Sequence, residues 1–73
     1  ITANKSIKNI NQSIGQTNDL IEHVSVKIIE YTNINAPPEV IQANAINLQN
    51  LVASLQQLMT LRDATHANIC KCL

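Results

Sequence analysis

Residues 7–31, IKNINQSIGQTNDLIEHVSVKIIEY, decide the fold. Ile7, Ile10, Ile14, Ile21, Val24, Ile28 and Tyr31, with Thr17 as the one polar member, recur at alternating spacings of three and four. This is a heptad seam with isoleucine at each a position, the pattern of a helix that lays one stripe along a partner helix. It predicts a first helix over about residues 3–32. Ser6 precedes the seam, but the residue three further on is Asn9, so no capping box forms; Thr2 and Asn4 are alternative caps.

The pattern stops at Asn33, Asn35, Pro37 and Pro38. Asparagine favours turns, and the residue before a proline is pushed out of the helical region. Pro38 and Glu39 suit the first turn of a new helix, where the missing N–H costs nothing and a carboxylate meets the positive end of the helix dipole. The turn is expected over about 33–37 and a second helix over about 38–69. On a helical wheel Ile41, Ala45, Leu48, Val52, Leu55 and Met59 form one stripe, with Val40, Leu51, Leu58 and Ile69 beside it. The combined arc of ~140° is wider than a coiled-coil seam, so this helix needs more than one neighbour.

A short connection joins antiparallel neighbours, so the fold expected is an all-α antiparallel helical hairpin in a single domain, 1–73. One seam seldom stabilises a chain below ~70–80 residues. Leu20, Val26 and Ile29 on the first helix and Ile46 and Leu61 on the second lie off the seam and remain to be covered. The hairpin is therefore expected to assemble into a coiled-coil-like bundle: two copies in a four-helix bundle, or three in a six-helix bundle. Isoleucine at both a and d biases parallel coiled coils toward three or more strands. The expected partners are further copies of this chain, or helices of a larger parent protein.

Composition excludes several function classes. Lys+Arg and Asp+Glu are both 5, so the net charge is zero, without the basic footprint of nucleic-acid binding or of attachment to anionic membranes. Tyr31 is the one aromatic residue, which leaves no stacking platform. A single glycine allows no glycine-rich phosphate loop. No apolar run reaches the ~18 residues of a membrane span.

Few residues carry candidate chemistry. Cys70 and Cys72 are too close in sequence for an unstrained disulfide with each other. With His66 they make three metal ligands at a spacing that matches no common zinc site, so no metal or other cofactor is expected. In an extracellular setting they would staple neighbouring subunits, for about 2–4 kcal/mol per well-placed bridge. Cys70-Lys71-Cys72-Leu73 also has the length of a prenylation box, though Lys stands at an aliphatic position. Asn4-Lys5-Ser6 and Asn11-Gln12-Ser13 are glycosylation sequons one heptad apart, which fit an extracellular or surface location. His23 falls on the solvent face. Asp63 and His66 share a helix face, and Glu22 and Glu30 lie eight apart; neither pair is marked as acid/base machinery. An enzyme is not expected, because a short hairpin offers no deep pocket.

The isoleucine heptads of residues 7–31, decorated with Asn, Gln and Ser, resemble the first heptad repeat of class I viral fusion subunits over about thirty residues. The chain departs from that family in lacking a hydrophobic fusion peptide and a tryptophan-bearing second repeat, and its linker is tighter than the family's disulfide loop. The resemblance implies a heptad-repeat piece of a membrane-fusion subunit. It joins a second alternative, a toxin-like amphipathic hairpin whose broad second helix lies on a bilayer. The leading expectation is a non-catalytic structural or interaction module that self-associates. Its core and interface residues are Ile7, Ile10, Ile14, Ile21, Val24, Ile28, Ile41, Leu48, Val52, Leu55 and Met59. Each fully buried large aliphatic contributes about 1.5–3 kcal/mol before entropy is counted, and Ile14→Asn or Leu55→Asn is expected to dissociate the assembly.

Overall fold

A computed structural model of the chain describes the backbone of residues 2–72 and the side chains of residues 5–68. It contains two helices, α1 (Thr2–Asn33) and α2 (Pro38–Cys72), with no strand among the described residues. They pack against each other as an antiparallel hairpin measuring 56 × 14 × 13 Å. α2 continues past residue 69 because residues 62–72 contain neither glycine nor proline.

The turn is a complete helix stop signal. Asn35 adopts a left-handed conformation with φ of 53°. The Asn35 N–H donates to the Thr32 carbonyl at 3.2 Å, and the Ala36 N–H to the Tyr31 carbonyl at 2.9 Å. These are the two bonds of a Schellman motif, with Asn35 in the position glycine usually holds. Asparagine tolerates that region better than other residues with a Cβ. Pro37 then opens α2: its carbonyl accepts from the Val40 N–H at 3.0 Å and from the Ile41 N–H at 3.4 Å. Pro38 follows at the first helical position and Glu39 is the acidic residue of the first turn.

Every member of the α1 heptad series faces inward. Ile14 and Val24 are buried, 8% and 6% exposed, and Ile7, Ile10, Thr17, Ile21, Ile28 and Tyr31 are half-buried. Thr17 fits among them because its hydroxyl donates to the Ser13 carbonyl at 2.8 Å. On α2 the half-buried series is Ile41, Asn44, Ala45, Leu48, Leu51, Leu55, Leu58, Arg62 and Thr65. Asn44 donates its Nδ2 to the Val40 carbonyl at 2.8 Å, again within its own helix.

The α2 series corrects the helical wheel. Val52 (39% exposed) and Met59 (36%) lie outside the seam with α1, while Leu51 and Leu58 lie within it. A straight helix at 100° per residue favours 52 and 59. Two helices packed side by side instead follow the 3.5-residue repeat, which continues 41, 44, 48, 51, 55, 58, 62 and 65.

The left-handed residue gives a direct test of the turn. Asn35→Gly should leave stability equal or slightly raised. Asn35→Val should lower it by about 1–2 kcal/mol, because a β-branched side chain opposes positive φ. Urea unfolding followed by circular dichroism at one fixed protein concentration measures both; equal midpoints for the two variants would refute this account of the turn.

Candidate association surface

The surface that α1 and α2 leave open is the candidate site, and it starts from how little they cover. Ile14 and Val24 are the only buried hydrophobic side chains among the described residues, and neither is completely closed off from solvent. Leu20, Val26, Ile29, Ile34, Val40, Ile46, Val52, Met59 and Leu61 are all exposed, Ile29 at 60%. The accessible surface is 5470 Å². A compact protein of 8.0 kDa exposes about 4,500 Å² on the usual mass scaling. The hairpin therefore shows solvent roughly 1,000 Å² more than a chain with a closed core.

This apolar surface is not spread evenly. On the outer side of α1, Val26 and Ile29 stand among Asp19, Glu22 and Glu30, all exposed. α2 is different. Residues 40–61 contain no Asp, Glu, Lys or Arg, so over about 30 Å of helix its outer side carries no charge. Ile46, Gln49, Val52, Ala53, Gln56, Met59 and Thr60 are exposed there, beside half-buried Ala45. A shallow open depression lined by Ala53, Gln56, Gln57, Thr60, Leu61 and Ala64 runs along the same helix. The charge-free run is the feature that hydrophobic periodicity alone misses, although a tally of charge along the chain reveals it.

The sequence-derived site residues divide into three groups. Ile7, Ile10, Ile14, Ile21, Val24, Ile28, Ile41, Leu48 and Leu55 lie in the seam within one hairpin. Val52 and Met59 lie on the open flank of α2. Asn11 is exposed on α1, whereas the side chains of Asn4, Cys70 and Cys72 lie outside the described residues.

The polar residues are dispersed. His23 and His66 are exposed. Asp63 meets its neighbour Arg62 at 3.3 Å, an exposed ion pair of little energetic weight. No group of three His, Cys, Asp or Glu side chains gathers among the described residues. No helix among them is long and apolar enough to cross a membrane. Compared with family models, curated proteins and solved structures, the chain matches none.

Burial separates two kinds of isoleucine, and substitution should separate them too. Ile14→Asn puts an amide into the buried seam. It should cost about 2–5 kcal/mol, a large share of the stability of so small a fold, and abolish most of the helical signal at micromolar concentration. Ile29→Asn, on the open side of α1, should change stability by no more than about 0.5 kcal/mol. Circular dichroism melts of the two variants check this; equal losses would show that the seam is wrongly placed.

Proposed function

We propose that this protein is a non-catalytic structural module that works by self-association. α1 supplies an isoleucine seam that holds the hairpin, and part of the apolar surface left over, the charge-free outer side of α2, is covered by further copies of the same chain. The observation that carries the reading is the mismatch between core and exposed apolar surface: two buried large side chains against nine exposed ones among the described residues. Burial of apolar area is the dominant drive for association, at about 25 cal/mol per Å². A chain of this size with one helix–helix contact gains most by adding neighbours.

The charge pattern supports the same reading. Interface cores are depleted in charged residues, and the outer side of α2 has none between Glu39 and Arg62. A bilayer-bound amphipathic helix draws on Lys and Arg along its polar face, which α2 lacks over the same span. The proposal uses no cofactor, metal or nucleic acid.

Sedimentation equilibrium of the full chain under reducing conditions tests the function. The expected result is a mass of two or three chains at tens of micromolar. A mass of 8.0 kDa up to about millimolar concentration would overturn it, since association that weak falls short of a specific interface.

A further inference from the structure

The outer flank of α2 carries a second repeat of coiled-coil spacing. Ala45, Gln49, Val52, Gln56 and Met59 are separated by four, three, four and three residues. Ile46, Ala53 and Thr60 run alongside at intervals of seven. The flank is a mixture of apolar and amide side chains, exposed except for half-buried Ala45. It is also close to symmetric about the midpoint between Val52 and Ala53. Reversal of the helix direction there exchanges Val52 with Ala53, Gln49 with Gln56, Ile46 with Met59 and Ala45 with Thr60. Apolar residues fall on apolar residues and amides on amides, apart from the outermost pair.

That is the self-complementarity a two-fold axis demands, since in an isologous contact residue i meets j and j meets i. We propose that two hairpins associate through this flank, with α2 antiparallel to the α2 of the second copy and the axis passing near Val52 and Ala53. The inference rests on the self-association reading and adds its face, direction and register. The occupant is a second copy because the flank matches itself in reverse and has no charge for a charged partner to meet. The excess surface of roughly 1,000 Å² per hairpin is also of the size that one partner buries in a standard interface, about 800 Å². In the resulting four-helix arrangement Val52, Ala53, Ile46 and Met59 form the apolar centre. Gln49 and Gln56 hydrogen-bond across it, and the α1 helices lie outside.

The wild-type mass and three variants of the full chain, each checked for helicity by circular dichroism, form the test. Wild type should sediment as two chains. Val52→Glu places a charge at the axis and should weaken dimerisation at least about 30-fold, the loss associated with a buried interface anchor. Ile29→Glu, on the outer side of α1, should leave the dissociation constant unchanged. The double variant Gln49→Glu/Gln56→Lys tests direction: antiparallel pairing sets each Glu against a Lys of the second copy, so the dimer should be as tight as wild type or tighter. Parallel pairing would set Glu against Glu and Lys against Lys and weaken it.

A dimer insensitive to Val52→Glu, or broken by Ile29→Glu, overturns the face while leaving self-association standing. A loosened double variant overturns the register, and a mass of three chains overturns the two-fold. A wild-type monomer overturns both this inference and the reading beneath it, and flotation of that monomer with phosphatidylcholine vesicles would turn the flank into a bilayer-facing surface instead.

Discussion

One helix can cover only one side of another, and the rest of this structure follows from that limit. The contact between α1 and α2 is a single seam, and a seam buries only those side chains with the most neighbours. Here those are Ile14 and Val24. Side chains one position to either flank remain half open, and those beyond face water. A hairpin built this way has an open boundary where a larger domain would have a core.

Within the seam the polar residues are arranged so that none costs a desolvated hydrogen bond. Thr17 and Asn44 satisfy themselves on carbonyls four residues back in their own helices, and no buried side-chain nitrogen or oxygen is left without a partner among the described residues. Ser25, Thr32 and Thr60 use the same local bond. These bonds select no particular neighbour. Specificity of pairing therefore rests on shape, on the Asn35 turn that sets the two helices antiparallel, and on the aliphatic series of α1. The end of the seam away from the turn is more polar, where Arg62 and Thr65 replace the leucines of α2.

The amino-acid sequence carries most of this fold openly. The regular isoleucine heptads place α1 and its buried side, and the Asn/Pro cluster marks the turn, because these signals depend on neighbours three or four residues away. α2 was less legible. It has apolar residues at two adjacent heptad positions, Leu51 beside Val52 and Leu58 beside Met59, and the sequence alone does not say which of each pair meets α1. Packing against α1 resolves it in favour of Leu51 and Leu58, and so frees Val52 and Met59 for another contact. Asn35 shows the same limit: its residue type announces a turn, but the left-handed backbone and the paired Schellman bonds depend on how α1 and α2 meet.

On the proposed self-association, the folded hairpin and its assembly are one equilibrium, and stability then depends on how much protein is present. The most direct measurement is the thermal midpoint by circular dichroism across a roughly hundredfold range of concentration, under reducing conditions. Coupled folding and association predicts a midpoint that climbs steadily with concentration and a transition that loses helix and mass together. A midpoint identical across the whole range would contradict it and show a hairpin that stands alone.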